Sequence, residues 1–402
     1  MEIAFFTDSY APTRDGVASV TGSLARALTR LGHRVRVYTT NPVVGAPRDE
    51  LTDAGVRVVR LRSLRVPLYT DYRWPVFPYL SLRGEHVGED VDIVHLHTPG
   101  EMGTLGFLAS RRFGKPLVGT FHTNLWDMRG SVPQKFLVPL FFRIAWWYNV
   151  GLYWRCDVTT APSEVARDAL VAHARKPFHR AIEVVPNGID LDRFHPLVAT
   201  PDWRLRVGFP PGPLVTYLGR LTADKGIHRF LDAVEAASAR TALVAIVGGS
   251  GPEEGRVRER LATSPVLATH VRYVGPVAEE EKAALLAQSD MFVVPSTSDT
   301  AGVALLEAMA CGTPCIALES GGPVEIVEDG VTGRTVPLAD PPRLAAAIVE
   351  LADAPALRRS MGVQALRRVR TVGSIDGMAR RLITLYEMLL TERRTPASYS
   401  AR

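Results

Sequence analysis

Two doubly wound α/β domains in tandem are what this sequence predicts, and three observations carry that expectation. The first is length: 402 residues exceed what a single hydrophobic core comfortably organises. The second is rhythm. Short apolar runs of strand length alternate with longer segments of helical period, the pattern that builds parallel sheets through crossover helices. The third is an interruption: the chain turns proline-rich and aperiodic at "HPLVATPDWRLRVGFPPGP", and then the same rhythm restarts.

The first half opens with the strand "EIAFFTD", a polar loop, and the helix "VASVTGSLARALTRLG". The strands "HRVRVYTT", "VRVVRL", "VDIVHLHT", "PLVGTFHT" and "DVTTAPS" follow, with helical stretches between several of them. A linker is expected over 194–212. Beyond it come "LVTYLGRL", "TALVAIVGG", "HVRYVGPV", "MFVVPS", "PCIALES" and "GRTVPL", again separated by helices. The expected division is 1–195, then 196–375, then a basic C-terminal helix and tail over 376–402 that returns to the first domain. In two Rossmann-like domains facing each other, a ligand belongs in a cleft at the carboxyl ends of the strands.

Composition narrows the function classes. Three cysteines are too few for a disulfide framework, and Cys311 and Cys315, spaced C-x3-C without a nearby histidine, do not make a zinc site. Buried thiols in a reducing compartment are expected. "EIAFF" breaks at Thr7-Asp8, too soon for the apolar core of a leader, so a cytoplasmic protein is expected. Charge is uneven: residues 1–200 carry 24 Lys and Arg against 19 Asp and Glu, while the remainder is balanced. Within 102–180 the excess sharpens to 11 basic against 4 acidic residues, which by charge alone suits nucleic acid, an anionic membrane or a phosphorylated substrate. No nucleic-acid partner is expected.

Nucleotide chemistry is narrowed by what the glycines do not spell. No G-x-G-x-x-G follows the first strand, "VGGSGPEEG" gives only G-x-G-x-x-x-G, and no P-loop is present, so neither a dinucleotide enzyme nor a P-loop ATPase is read. "DVD" (90–92) and "DLD" (190–192) are read as structural rather than as metal pairs. Three segments have better prospects. Gly16 precedes a helix, where backbone can approach a ligand and free N–H groups face phosphate. Arg220 and Lys225 leave the second domain's first strand and suit a diphosphate that departs with growing negative charge. In "TSDTAGVALLEAMACG", Asp299 lies in a loop, Gly302, Val303 and Ala304 open a helix, and Glu307 sits one turn inside. A carboxylate is costly there unless something binds it, and a ribose diol would suit both its oxygens.

With these residues in place the chain resembles the retaining glycosyltransferases of family 4, which have the GT-B fold. The resemblance runs through "FFTDSYAPTRDGV", "DIVHLHTPG", "LVGTFHT", "VVPNGIDLDRF", "GRLTADKG", "VGGSGP", "VRYVGPV" and the long segment from Ser298 to Val336. It implies that Glu307 holds the nucleotide ribose and that Asp299, where the family usually has Glu, contacts donor-sugar hydroxyls. Arg220 and Lys225 would neutralise the departing diphosphate, helped by the backbone of Gly16, Val303 and Ala304. His122 would lie beside the transferred sugar. Tyr273 to Val277 would line the base pocket, and Asn187, Gly219 and Gly302 would belong to the donor side. Neither metal nor other cofactor is implied, the nucleotide-sugar (GDP-mannose or UDP-hexose) being a substrate. The shorter Asp299 is read as tuning the donor pocket, with loss of activity the other reading.

The acceptor is sought in the basic first half. "KFLVPLFFRIAWWYNVGLYWR" (135–155) holds eight aromatics and three cations. Trp146, Trp147 and Trp154 with Lys135, Arg143 and Arg155 resemble an interfacial segment. Arg143, Pro139 and Asn149 argue against a membrane span; core packing helices are the alternative. The first loop, with Tyr10, Arg14 and Asp15 placed on the acceptor side, resembles the branch acting on diacylglycerol-type or phosphatidylinositol acceptors. A lipid headgroup at the cytoplasmic membrane face is therefore expected. A soluble saccharide or secondary-metabolite acceptor, a nucleotide-sugar epimerase, and a non-catalytic binding protein are the competing readings.

Overall fold

The computed structural model describes residues 1–13, 15–41, 49–66, 69–75, 89–122, 138–198, 202–208 and 212–394. These fall into two compact units, one made by 1–188 with the C-terminal helix from Ile375, the other by Ile189–Ser374.

In the first unit, strands β1 (Glu2–Phe6), β2 (Arg34–Thr40), β3 (Asp49–Leu51), β4 (Arg57–Leu61), β7 (Ile93–Leu96), β8 (Leu117–Thr120), β9 (Val158–Ala161) and β10 (Glu183–Val184) form one sheet. Its order is β10-β9-β8-β7-β1-β2-β4-β3, parallel throughout except for β3, which returns antiparallel along β4. A separate hairpin joins β5 (Ser63–Val66) to β6 (Tyr69–Pro75). Neither β3 nor this hairpin was expected from the alternation, because their sequences lack a continuous apolar face. Helices α1 (Gly16–Arg30), α2 (Glu101–Phe113), α3 (Val138–Trp154) and α4 (Glu164–Ala172) complete the unit with the C-terminal helix Ile375–Arg394.

Both faces of this sheet are covered, as parallel sheets require. Ala4, Phe6, Val94 and Leu96 pack toward Met102, Leu105 and Ala109 of α2. Alternate residues point the other way: Phe5 meets His95 edge-on, with ring centroids 5.4 Å apart. Here the C-terminal helix is locked in place. Tyr386, fully buried, places its hydroxyl 2.6 Å from His95 Nδ1, while His95 Nε2 lies 2.7 Å from the Thr120 hydroxyl. Burial pushes the His95 imidazole down to about 3, so it is neutral, with one donor and one acceptor nitrogen, both used.

The second unit has a six-stranded, wholly parallel sheet in the order β13-β12-β11-β14-β15-β16. The strands are β11 (Leu214–Leu218), β12 (Val244–Gly248), β13 (Val271–Gly275), β14 (Met291–Val294), β15 (Cys315–Leu318) and β16 (Gly333–Val336). All six expected runs became strands. Alternation again divides the core: Met291 and Val293 join one cluster, Phe292 and Val294 another. Its helices include α5 (Trp203–Val207), α6 (Ile227–Ser238), α7 (Glu254–Thr263), α8 (Pro265–His270), α9 (Glu279–Gln288), α10 (Val303–Ala310), α11 (Pro323–Ile326), α12 (Pro341–Asp353) and α13 (Pro355–Val372).

The segment read as a linker lies inside this unit. Trp203 is buried against Leu214, Val244 and Ile246, and Arg204 pairs with Asp290 at 2.6 Å. The division falls earlier, between 188 and 189. Proline density marked loop chemistry correctly, but it concealed one tryptophan that anchors the loop to the core. The two acidic triplets have structural partners: Asp92 accepts from the Glu2 N–H at 2.7 Å, and Asp190 from the Asp192 N–H at 3.2 Å. The three thiols are free and buried.

Replacing Tyr386 by Phe removes one partner of a buried imidazole, which costs ~1–3 kcal/mol. Thermal unfolding should show the midpoint falling about 2–4 °C for each kcal/mol lost. An unchanged midpoint would show that the Tyr386 hydroxyl does not fix the helix.

Candidate functional site

The second unit gathers its loops at the carboxyl ends of its strands, where backbone approaches backbone. Beyond β11, the Gly219 N–H donates to the Gly248 carbonyl at 3.1 Å and the Leu221 N–H to the Ser250 carbonyl at 2.9 Å. A Cβ at Gly249 (φ 140°) would collide with the Gly219 carbonyl, so only glycine lets these two loops touch. Tyr273, half-buried at the end of β13, donates its hydroxyl to the Gly249 carbonyl at 2.9 Å, with Arg258 4.6 Å above its ring. Val277 packs against the core cluster around Trp203. Gly219, Tyr273 and Val277 therefore share one side of the strand ends. The Arg220 carbonyl accepts from the buried Tyr217 hydroxyl at 3.0 Å, which fixes the backbone that aims Arg220.

Lys225 and Asp299 are brought together on the other side. Lys225 Nζ donates to the Ser298 carbonyl at 2.9 Å and lies 3.4 Å from Asp299 Oδ2. Asp299 Oδ1 accepts from the N–H groups of Ala301 at 3.1 Å and Gly302 at 2.8 Å. This turn is one that aspartate makes and the longer glutamate makes poorly. Gly302 takes a left-handed conformation (φ 53°) as the N-cap of α10. Its N–H is thus occupied by Asp299, leaving Val303 and Ala304 as first-turn N–H groups without intrahelical acceptors. The loop is pinned from two directions: Ser298 donates to Asp224 at 2.7 Å, and the Gly322 N–H donates to the Asp299 carbonyl at 2.7 Å.

Glu307 is 1 % exposed, one turn inside α10. Burial pushes its carboxyl up, and Lys282 of α9 opposes this, with Nζ 2.8 Å from Oε1 and 2.6 Å from Oε2. Burial alone would push the Lys282 ammonium down, but Glu307 and Glu279 outweigh it and hold it up. Glu279 lies 3.5 Å from Lys282 and 3.0 Å from Arg193, a residue of the "GIDLDRF" segment. Two carboxylates and two cations thus alternate from the buried Glu307 out to the half-buried Glu279 and Arg193. Lys282 and Arg193 were missed from sequence, because "EEEKAALL" reads as the solvated face of an ordinary helix. The only signal was the Glu279-to-Lys282 spacing of three.

In the first unit the same strand ends carry polar groups. The Asp8 carboxylate accepts from the Thr98 hydroxyl at 2.5 Å and from the Met102 N–H at 3.2 Å, tying the end of β1 to the first turn of α2. Asp15 caps α1, accepting from the Ala18 N–H at 2.8 Å and from the Ser9 hydroxyl. Gly16 is the first residue of that helix, and Tyr10 is buried. Arg14 and Lys135 lie outside the described residues. His122 is buried at the end of β8, with Nε2 3.1 Å from His97 Nδ1. Burial holds His122 down at about 4 and His97 well below its ordinary value, so both rings are neutral. Asn187 is buried, and its Oδ1 has no hydrogen-bond partner. Among the described residues no cluster of three or more metal-ligating side chains occurs.

Comparison with known proteins agrees with this geometry. Residues 14–193 match the family model "Glycosyltransferase Family 4", and residues 212–354 match "Glycosyl transferases group 1". A GDP-mannose-dependent alpha-mannosyltransferase of Mycolicibacterium smegmatis is 31% identical over 83% of this chain and 84% of its own. An alpha-monoglucosyldiacylglycerol synthase of Streptococcus pneumoniae is 27% identical over 79% of this chain and 71% of its own. Anabaena HepE, solved in complex with UDP-glucose, superposes with a TM-score of 0.75 at 21% identity, covering 96% of this chain and all of its own. The fold is that of the GT-B glycosyltransferases. The chain belongs to glycosyltransferase family 4, and is a nucleotide-sugar-dependent hexosyltransferase.

Removing Lys282 while keeping Glu307 leaves a buried charge uncompensated. Lys282→Met should therefore cost ~3–5 kcal/mol in chemical denaturation. Adding Glu307→Gln should restore much of that loss, since the unpaired charge goes with it. Simply additive losses would mean that the two side chains do not depend on each other.

Proposed function

We propose that the chain transfers a hexosyl unit from a nucleoside-diphosphate sugar to a hydroxyl of a membrane lipid headgroup, with retention at the anomeric carbon and without a metal. The observation that supports this best is the pairing of Lys225 with the Asp299 loop beside the first turn of α10. Lys225, Arg220 and the Val303 and Ala304 N–H groups would carry the diphosphate, doing with fixed protein charges what a divalent cation does elsewhere. Glu307 would accept from the ribose hydroxyls, kept ionised by Lys282. Tyr273 to Val277 would border the base, with Gly219 and Asn187 also on the donor side. His122, neutral, would hydrogen-bond to the sugar rather than protonate it. The acceptor oxygen would bond to the anomeric carbon on the face the diphosphate leaves, its proton passing to the departing phosphate oxygen. Gly16 would offer backbone to that phosphate, and Tyr10 and Asp15 would border the acceptor.

The mycobacterial relative's name favours GDP-mannose as donor, with a UDP-hexose second. The pneumococcal synthase's name, together with the basic excess of the first half, favours a lipid acceptor on an anionic surface. No helix of the described residues is long and apolar enough to cross a membrane. We accordingly read the enzyme as working peripherally, on the cytoplasmic membrane face.

Thermal unfolding with GDP, UDP or ADP, all in EDTA, tests the donor reading. GDP should raise the midpoint most, since a ligand bound only by the native state stabilises it. Lys225→Ala should lower turnover by roughly 10²–10³-fold without unfolding the protein. No shift with any nucleotide, or turnover lost in EDTA, would defeat the proposal.

Asp299→Glu tests the shortened acid separately. It gives up the turn to Ala301 and Gly302, and should change the ratio of kcat/KM between GDP-mannose and UDP-glucose by tenfold or more, about 1.4 kcal/mol. An unchanged ratio would mean that this side chain does not select the sugar.

A further inference from the structure

Helix α3 and the loop after α4 leave an unusual surface on the first unit. Trp146 is only 5 % exposed and packs edge-on against Phe121, so it belongs to the core and not to an interfacial patch. Its neighbours differ: Ile144 and Trp147 are 57 % and 55 % exposed, and Arg143, Tyr148 and Arg155 are exposed with them. At spacings of three, four and seven these residues form one stripe of the helix. Arg175 lies 5.5 Å from the Trp147 ring and Lys176 6.0 Å from that of Trp154. No acidic residue occurs anywhere in α3.

The stripe ends in a cavity of about 410 Å³, whose lining includes Trp154 and four arginines. Two of these are neutralised: Arg180 pairs with Glu392 at 2.5 Å, and Arg393 with Asp157 at 3.0 Å. The other two pair with no carboxylate among the described residues: Arg111 donates to the Arg155 carbonyl at 3.3 Å and lies 5.3 Å from the Phe107 ring, and Arg155 donates to the Gly151 carbonyl at 2.7 Å. The cavity therefore keeps two guanidinium charges beside an aromatic wall. It sits before β9, at the opposite end of the strands from His122.

We propose that this surface seats the protein on an anionic phospholipid bilayer, with Ile144 and Trp147 entering the interface and Arg111 and Arg155 holding lipid phosphates in the cavity. Guanidinium forks match phosphate geometry, and aromatic rings flanked by cations settle at headgroup depth. The choice of a bilayer as occupant rests on the membrane-acceptor reading above, but vesicle binding is measured apart from sugar transfer, so the two can fail separately.

Sedimentation of the full chain with phosphatidylcholine vesicles, with and without phosphatidylglycerol, is the experiment. The protein should bind only the anionic vesicles, and Arg111→Glu with Arg155→Glu should weaken binding at least about tenfold. The nucleotide-induced thermal shift checks that this variant is folded; Arg111→Gln with Arg155→Gln replaces it if it is not. Equal binding by wild type and variant would overturn the cavity assignment and leave the membrane reading standing. No vesicle binding by wild type, with transfer to detergent-dispersed lipid intact, would overturn the docking surface but not the acceptor. If glycerol phosphate at millimolar concentration stabilised wild type alone while vesicles were ignored, the cavity would serve a soluble phosphate, and the inference would fall.

Discussion

A carboxylate buried one turn inside a short helix is the constraint on which much of the second unit depends. Glu307 cannot remain ionised in that position without a cation at contact distance, and Lys282 supplies it. The ammonium, itself largely removed from water, then needs more negative charge than one carboxylate gives. Glu279 answers that need, and Arg193 balances Glu279 in turn. This alternation fixes α9 against α10 and ties in the segment that follows Asn187. The "EEEKAALL" helix and the "GIDLDRF" segment are therefore coupled to the "TAGVALLEAMACG" helix by electrostatics as well as by packing.

The second organising feature is the close approach of loops at the carboxyl ends of the strands. Parallel strands all deliver their connections to the same edge, so groups distant in sequence converge there without special design. In the second unit the convergence is tight enough that backbone touches backbone, which only glycine at Gly249 permits. In the first unit the same edge is lined by His97 and His122, held neutral by burial. Neutral imidazoles can each donate and accept a hydrogen bond without adding charge to that edge.

Much of this was legible in the sequence, and what was not has a physical cause. The six strands of the second unit announced themselves as continuous apolar runs, since a sheet covered on both faces leaves little room for polar residues. Asp299, Gly302 and Glu307 could be singled out because an acid at each side of an apolar helix start has few structural uses. Lys282 could not: its role arises only when two helices pack, and periodicity carries no record of which charge faces which helix. The α3 stripe shows the same limit. Trp146 and Trp147 are adjacent letters, yet the helix sends one into the core and the other to solvent. Composition located the aromatic segment, but only three-dimensional placement divided it. The proline-rich stretch misled for a related reason, because one buried tryptophan outweighed the loop chemistry around it.

The shortened acid at Asp299 gathers these strands into one argument. A glutamate in its place would reach further toward a donor sugar, but its longer side chain could not so readily fold back onto its own loop. Aspartate does fold back, and so it holds the N–H groups of Ala301 and Gly302 while staying within 3.4 Å of Lys225. Its carboxylate thereby sets the entry to α10, the helix that carries Glu307 and the first-turn N–H groups. The exchange trades reach toward the ligand for rigidity in the frame around it. A loop built this way holds its shape through its own short side chain, before any ligand adds to it.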